Sequence, residues 1–338
     1  MITIKDVAKD AGVSVGTVSN VLNNRKVSAK RREKVEASIE KLGYSVNVAA
    51  RSMRSPMSGT VGILLPELLN PFYTVLLQEL EKELSDKGRR SMICIYGSDG
   101  EKEKEFLNFA VKNCLDGVIC VTNSRVEDIV CAENGLPGVL IDRRIDGIPC
   151  IASDSYQGGY LAAEKLVEKG SRNVLFIQIV PRVRHEVHLR RAGFEDYCKE
   201  HGIAYGSIEF SEQQVESIYS SFSEVEAPMI MDILKTYVGG EKQGRSIDGI
   251  FAGTDHLAYV ISKNLEKMGI RVPEDVQVIG FDGLRVMNRG EYYVSTIRQD
   301  ISLLAKKSAE TLLLMTDGKK VPDHIRIPVE FIDGRTTK

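Results

Sequence analysis

Residues 3–23 are TIKDVAKDAGVSVGTVSNVLN, and this stretch predicts two short amphipathic helices joined by a turn at Gly12. Thr3 and Asp6 have the spacing of a capping box, so the first helix is expected to begin there. Ser14 is placed to cap the second helix. On each side of the glycine, apolar residues recur at helical spacing, and each helix therefore has one face suited to a core.

The second helix has two different faces. Its inner face holds valine and leucine side chains, whereas its outer face holds small and amide side chains: Gly16, Ser19, Asn20 and Asn23. An exposed helix face of this composition can enter a DNA major groove and meet base edges. Periodicity alone also fits a helical hairpin that only packs against another part of the protein.

Charge is unevenly distributed along the chain. Residues 1–54 hold eleven lysines and arginines against five aspartates and glutamates, a net charge of +6, whereas the remaining residues have a net charge of −8. The overall net charge of −2 conceals this division. A basic first segment on an acidic body is suited to phosphate contact through one end only. The charge pattern therefore favours DNA binding as the role of the helix pair.

Length and composition limit the remaining possibilities. A chain of 338 residues predicts two or three domains, and a hydrophobic content of 43% suffices for packed cores. No run of eighteen apolar residues is present, which argues against a transmembrane helix. Lys5 and Asp6 interrupt the first segment, so we expect no signal peptide. The six cysteines form no CxxC pair and suit reduced thiols in a cytoplasmic protein.

A third helix and a linker are expected after the helix pair. Ser28 is placed to cap a helix that ends at Leu42, because Gly43 follows it. Residues 47–53, NVAARSM, have the pattern of a helix of under two turns, which needs a partner to be stable in water. The next residues, RSPMSG, predict a linker.

From residue 59 onward, apolar runs typical of strands alternate with helical segments. This alternation predicts parallel sheets with helices on both faces, and the number of runs predicts two successive α/β lobes. Ligands bind such sheets at the carboxyl ends of the strands. Four aspartates are candidates for that edge: Asp142, Asp154, Asp255 and Asp282.

Signatures of enzymes and metal sites are poor. The sequence has no GxGxxG after a strand, no GxxxxGK[ST], no GxSxG and no HExxH. His185 and His188 have the spacing of one helix face, with Cys198 nearby in sequence, but this pair lacks the closed ligand set that zinc needs. We expect both histidines to be solvated, and we expect no enzyme activity, metal or cofactor.

Several motifs resemble the lactose-repressor (LacI/GalR) family. TIKDVAKDAGVSVGTVSNVLN, VSAKRREKVEASIEKLGY and NVAARSMRS are similar to its DNA-binding head. The body resembles that family's effector-binding core, itself similar to periplasmic sugar-binding proteins, at NPFY (70–73), IDRR (141–144), SDSYQGGYLAAEKLVEKG (153–170), LRRAGF (189–194), FAGTDHLAYV (251–260), VPEDVQVIGFDG (272–283) and TIRQD (296–300). The resemblance implies an all-α helix-turn-helix head and a two-lobed α/β core of two doubly wound parallel sheets.

The resemblance also implies domain boundaries. It gives a helix-turn-helix domain at 1–46, a hinge helix and linker at 47–58, and a core at 59–338, with a first lobe near 59–155 and 291–321 and a second near 156–290 and 322–338.

In the head, the resemblance assigns DNA contacts residue by residue. The positions that meet base edges are Val15, Gly16 and Asn20, and the positions near phosphates are Ser14, Thr17, Ser19, Asn23, Lys26, Ser28 and Arg31. Asn20 is the best candidate for direct base recognition, because an amide can bond adenine in bidentate fashion. For Val15, contact with a thymine methyl group and partial packing in the core both stay open.

In the hinge, the resemblance implies a helix that folds in the minor groove when two subunits meet on a palindromic operator. Its predicted DNA-binding residues are Asn47, Ala50 and Met53. Met53 replaces the usual leucine wedge with a more flexible apolar side chain. Val46 replaces a common proline, which loosens the hinge without DNA. A flexible linker is the alternative.

In the core, the resemblance implies an effector cleft that suits a polyol, because carboxylates and an arginine bind paired hydroxyls. Its predicted residues are Asn70, Phe72, Tyr73, Asp142, Arg143, Arg190, Thr254, Asp282 and Gln299. Thr254 departs from an asparagine common among sugar binders. The basic run at 181–191 fits either an anionic effector such as a sugar phosphate or a solvated surface turn.

These expectations describe a cytoplasmic transcriptional regulator, in the simplest case a repressor, that binds operator DNA as a homodimer and responds to a small effector. No leucine-heptad segment follows Arg335, which favours a dimer over a tetramer. The alternatives are a solute-binding protein without a DNA role and a regulator with a protein corepressor.

Overall fold

The computed structural model of the chain comprises two compact units, Met1–Ser58 (the head) and Gly59–Lys338 (the core). It describes residues 2–22, 26–44, 58–97, 99–122, 135–180, 183, 185–211, 226–238, 246–285 and 292–338. In these ranges, no helix has both the length and the apolar character needed to cross a membrane.

The described residues of the head form α1 (Ile4–Asp10), α2 (Val15–Leu22) and α3 (Ala29–Leu42). The predicted capping interaction at Thr3 is present, because its backbone N–H donates to the Asp6 carboxylate at 2.8 Å. Ser14 Oγ accepts from the Thr17 backbone N–H at 3.2 Å and so caps α2. Gly43 ends α3 in the left-handed conformation that glycine adopts most readily.

The apolar faces of the three helices meet in one small core. Its buried members are Val7, Ala8, Ala11, Val18, Val21 and Val35. Ser38 of α3 links two helices, because its hydroxyl donates to the Asp10 carboxylate at 2.8 Å. The helical spacing of apolar residues in the sequence therefore predicted the packing of the head correctly.

The core contains twelve strands among its described residues. They are β1 (Thr60–Leu65), β2 (Arg90–Ile95), β3 (Gly117–Cys120), β4 (Gly138–Ile141), β5 (Cys150–Ser153), β6 (Asn173–Val180), β7 (Ala204–Ser211), β8 (Gly249–Ala252), β9 (Gln277–Asp282), β10 (Ser295–Gln299), β11 (His324–Ile327) and β12 (Val329–Ile332). The helices between them are α4 (Pro71–Asp86), α5 (Gly100–Lys112), α6 (Ser155–Glu168), α7 (Leu189–Glu200), α8 (Glu226–Tyr237), α9 (Asp255–Lys267) and α10 (Ile301–Thr316).

These strands form two sheets, each the centre of one lobe. The first sheet has the order β11-β5-β4-β3-β1-β2, and all its neighbouring strands are parallel. The second has the order β12-β10-β9-β8-β6-β7 and is parallel except for the antiparallel pair β10–β12. Two doubly wound lobes were predicted, and the structure confirms them.

Helices cover both faces of each sheet. In the first lobe, α4 and α10 pack on one face and α5 on the other. In the second lobe, α8 and α9 pack on one face, whereas α6 and α7 pack on the other. Because both faces are covered, the central strands β1, β3, β4 and β8 are almost entirely apolar, as is usual for parallel sheets.

The lobe boundaries differ from the expected ones. β10 pairs with β9 and belongs to the second lobe, although 291–321 was assigned to the first. β11 pairs with β5 and belongs to the first lobe, although 322–338 was assigned to the second. The chain therefore changes lobe at 153–155, 299–301 and 327–329. Strand pairing decides lobe membership, and sequence periodicity does not show which strand is the partner.

Asp116, which precedes β3, fixes the start of the core to the first sheet. Its carboxylate is fully buried and accepts from the Gly59 backbone N–H at 3.1 and 3.2 Å. It also accepts from Arg89 Nη1 at 2.7 Å. The side chain of Asp116 thus holds the residue at which the core begins.

We predict that Asp116→Ala lowers the free energy of unfolding of the core by about 3 kcal/mol, because a half-buried guanidinium and a backbone N–H lose their acceptor. Urea denaturation of the full chain measures this change. As a control, Glu168→Ala removes an exposed ion pair with Lys165 and should change stability by less than about 1 kcal/mol. Equal losses in the two variants would contradict the assigned role of Asp116.

Candidate functional site

The outer face of α2 is the candidate DNA-binding surface. Gly16 is exposed, and a Cβ at this position would contact only Ser14 Oγ, at 3.8 Å. Ser19 and Asn20 lie half-buried on the same helix, whereas Val18 and Val21 are buried in the head core. The helix therefore presents Asn20 beside a position that allows close approach of a nucleic acid.

Val15 is half-buried and packs against the head core, which favours the packing role among the two that the sequence left open. Thr17 and Ser14 bond one another, with 3.0 Å between their hydroxyl oxygens. The remaining predicted phosphate contacts in the described ranges are all exposed: Lys26, Ser28 and Arg31. Ser28 precedes α3 as its N-cap residue, but its side chain makes no capping hydrogen bond.

In the core, the candidate effector site lies at the carboxyl ends of strands from both lobes. Asp142 directly follows β4 of the first lobe with a φ of 57°, and Asp282 ends β9 of the second lobe with a φ of 136°. Both φ values are positive, which is unfavourable for residues other than glycine, and residues strained in this way cluster at ligand sites. Asp142, Asp282 and Gln299 are at most 7% exposed.

Arg190, on α7, is the cation of this site. Its guanidinium carbon lies 3.6 Å from the centroid of the Phe281 ring, and its Nη1 donates to the Gly253 carbonyl oxygen at 2.5 Å. Close packing of α6 and α7 places it there, because a Cβ on Gly159 would lie 1.9 Å from the Arg190 carbonyl oxygen. Glycine is therefore required where α6 passes behind Arg190.

Three carboxyl groups surround this cation. Burial raises the pKa of Asp142 to about 6, although Arg190 acts in the opposite direction. Burial also raises the pKa of Asp255. The pKa of Asp282 is raised well above its usual value, first by burial and then by the charge of Asp255. One arginine among three buried carboxyl groups leaves the site electronegative or proton-sharing, which disfavours an anionic ligand.

The site also holds buried acceptor atoms. Gln299 Nε2 donates to Asp282 Oδ1 at 2.8 Å, and Gln178 Nε2 donates to the Val187 carbonyl oxygen at 3.2 Å. Within the described ranges, Gln299 Oε1, Gln178 Oε1 and Asp255 Oδ1 have no hydrogen-bond donor. Buried acceptors of this kind are costly unless a donor reaches them. Hydroxyl groups of a ligand would supply such donors.

Comparison with known proteins decides the family. The model "Bacterial regulatory proteins, lacI family" matches residues 3–47, and the model "Periplasmic binding proteins and sugar binding domain of LacI family" matches residues 58–335. The chain belongs to the LacI family. It is a DNA-binding transcriptional regulator of that type, and the resemblance noted in its sequence is confirmed.

Individual relatives of this LacI-family regulator match along its whole length. It is 32% identical to the ribose operon repressor of Halalkalibacterium halodurans, with 100% of this chain and 98% of that protein covered. It is 30% identical to the sucrose operon repressor of Streptococcus mutans, with 98% of each covered. The lac repressor dimer bound to operator and an anti-inducer shares its fold, with a TM-score of 0.82, 24% identity and coverage of 99% and 98%.

Some residues expected in the cleft of this LacI-family protein have their side chains engaged elsewhere. Arg143 Nη1 donates to the Thr122 carbonyl oxygen at 3.1 Å, within the first lobe. Thr254 Oγ1 accepts from the Leu257 backbone N–H at 3.1 Å and caps α9. Threonine at position 254, where asparagine is common among sugar binders, therefore serves as a helix cap. The neighbouring residue Asp255 supplies a buried carboxylate.

The NPFY segment of the LacI-family core also has a structural role. Asn70 Oδ1 accepts from the Phe72 backbone N–H at 3.0 Å and caps α4. Phe72 is buried in the first-lobe core, and Tyr73 packs against that core at its edge. The structure thus brings four predicted residues together: Gln299 bonds Asp282, and the charge of Arg190 acts on both Asp282 and Asp142. The other predicted residues cap a helix, bond the backbone or pack in the first-lobe core.

In the described part of the basic run at 181–191, Arg190 is the cation that reaches the cleft. Arg191 faces away and bonds Glu195 at 2.6 Å and Glu209 at 2.9 Å. His185 and Glu186 are buried, at 6% and 8% exposed, so the expectation of solvated histidines is wrong at His185. The expected contacts of Asn23, Asn47, Ala50 and Met53, and the hinge as a whole, lie outside the described residues.

Proposed function

We propose that this LacI-family regulator is a homodimeric repressor that binds a palindromic operator and responds to an uncharged sugar. Its operator contacts come from the outer face of α2, with Asn20 as the base-recognising side chain. The observation that carries the effector class is the set of buried acceptors at Gln178, Asp255 and Gln299 around Arg190.

Charge and burial support this class over the sugar phosphate that the sequence left open. The described cations near the site are Arg190 and Arg143, and Arg143 already donates to Thr122. A phosphate would have to enter beside Asp142, Asp255 and Asp282, where burial disfavours further negative charge. A family model described as a sugar-binding domain also supports a sugar. We further propose that the protein is no enzyme and acts in the cytoplasm.

The test has two parts. Selection of operator sequences from random DNA by the full chain should yield inverted half-sites, and fluorescence anisotropy then gives their affinity. Thermal-shift screening against pentoses, hexoses, disaccharides and sugar phosphates should give a rise in melting temperature with a neutral sugar. That sugar should change operator affinity by about 5- to 150-fold.

Three outcomes would contradict the proposal. Binding of a sugar phosphate but not of its parent sugar would overturn the charge argument. Sugar binding without any DNA binding would indicate a solute-binding protein. Sugar-independent DNA binding that changes only with an added cell protein would indicate a protein corepressor.

A further inference from the structure

We propose that residues 185–188, here called the strap, form a latch that holds the two lobes closed through this chain's own hydrogen bonds. The strap comprises His185 and a 3-10 turn at Glu186–His188. The inference rests on the proposed function in one respect only, since closure regulates the protein if the cleft takes an effector.

The strap belongs to the second lobe. It lies between β6 and α7, which are both elements of that lobe, and it continues directly into α7 at Leu189. Gln178 of β6 holds it through the bond to the Val187 carbonyl oxygen at 3.2 Å. The His185 backbone N–H donates to His188 Nδ1 at 3.1 Å, which makes the turn compact.

Its remaining contacts reach the first lobe. His185 Nε2 lies 2.9 Å from the Thr122 carbonyl oxygen, which follows β3. The Glu186 backbone N–H donates to the carbonyl oxygen of Asp142, at 2.8 Å, at the end of β4. Two neighbouring strand ends of one lobe are thus bonded to consecutive residues of the other.

The chemistry of the His185 bond is determined by its acceptor. A carbonyl oxygen only accepts, so Nε2 must carry the hydrogen. The same oxygen accepts from Arg143 Nη1 at 3.1 Å, which uses both of its lone pairs. Burial lowers the pKa of His185 to about 4, so the ring is neutral at pH 7 and donates without bringing a charge between the lobes.

The latch lowers the free energy that an effector must supply to close the two lobes. Two buried hydrogen bonds favour the closed arrangement before any sugar contributes its own contacts, and a ligand binds more tightly when the competent state is more populated. Loss of one bond should raise the ratio of open to closed molecules about five-fold. The carbonyl oxygen of Asp142 accepts from the strap, and Asp142 is 7% exposed in this closed arrangement.

Single-molecule FRET on the full chain tests the latch without any effector. Dyes are attached through unnatural amino acids at Glu105 of the first lobe and Lys267 of the second, both exposed, and labelled chain is mixed with an excess of unlabelled chain. Glu186→Pro removes the donating N–H, whereas Glu186→Ala keeps it and loses the same carboxylate. Proline fits the first position of a turn, and the ψ of 160° at His185 suits a residue before proline.

We expect Glu186→Pro to increase the open fraction relative to Glu186→Ala. His185→Phe should do the same, and His185→Gln should restore the wild-type distribution because its amide can donate to Thr122. His201→Ala, at the exposed end of α7, is the control without effect. Equal FRET distributions for Glu186→Pro and Glu186→Ala, or for His185→Phe and His185→Gln, would overturn the latch. Operator binding of the same proteins tests the proposed function separately.

Discussion

Replacement of Asp282 by alanine is expected to raise the dissociation constant for the sugar effector about 100-fold and to leave operator affinity unchanged. The carboxylate lies at the end of β9, is 4% exposed and is bonded by Gln299 on one oxygen. Each ligand hydroxyl that loses its partner in this buried site costs about 1–3 kcal/mol. Isothermal titration with the sugar identified by screening measures the loss, and anisotropy measures operator binding.

Loss of function at Asp282 should not come from unfolding. Burial and the charge of Asp255 raise the pKa of Asp282, so the folded state disfavours its ionised form. A group of this kind stabilises the fold below its unfolded pKa near 4 and loses that contribution as the pH rises. Asp282→Asn should therefore melt at the same or a higher temperature than wild type at pH 7.5, with a smaller difference at pH 4.5.

A matched control separates this site from an ordinary aspartate. Asp99 caps α5 by accepting from the Glu101 backbone N–H at 3.0 Å. Asp99→Ala should lower stability by about 1 kcal/mol and leave sugar binding intact. A normal effector response in Asp282→Ala, or equal effects on sugar binding in the two variants, would refute the cleft assignment.

Replacement of Asn20 by alanine is expected to weaken operator binding about 10- to 100-fold and to relax the sequence preference at one position of each half-site. A bidentate amide contact with adenine discriminates by about 1–3 kcal/mol. Asn20 is half-buried on α2 and is not part of the head core, so the head should keep its stability. Anisotropy with the selected operator and single-base variants gives both quantities.

Arg31→Ala provides the contrast. Arg31 is exposed in the first turn of α3, where a guanidinium can contact phosphate. Its loss should weaken binding to all sequences alike and reduce the salt dependence of log K by about 1, whereas Asn20→Ala should leave that slope unchanged. If Asn20→Ala changed the salt slope and kept the sequence preference, the assigned base contact would be wrong.

The sequence predicted most of the head and the strand-end chemistry because both depend on local patterns. Helical periodicity and the capping residues Thr3 and Ser14 are short-range signals, and they specify α1 and α2 correctly. Asp142 and Asp282 follow apolar strands, so their position at the carboxyl edge follows from the parallel topology alone.

What the sequence did not show depends on contacts between distant residues. Arg143 bonds Thr122 across 21 positions, and His185 bonds Thr122 across 63 positions. Lobe membership of β10 and β11 depends on strand pairing in the same way.

The three changes of lobe have a consequence for how the protein is made. The first lobe needs α10 to cover its core and β11 to complete its sheet, and the second needs β10 and β12. A ribosome therefore releases nearly the whole chain before either lobe can close its hydrophobic interior. The head requires only its own 58 residues. We expect the DNA-binding unit to fold during synthesis and the sensing unit to fold after it.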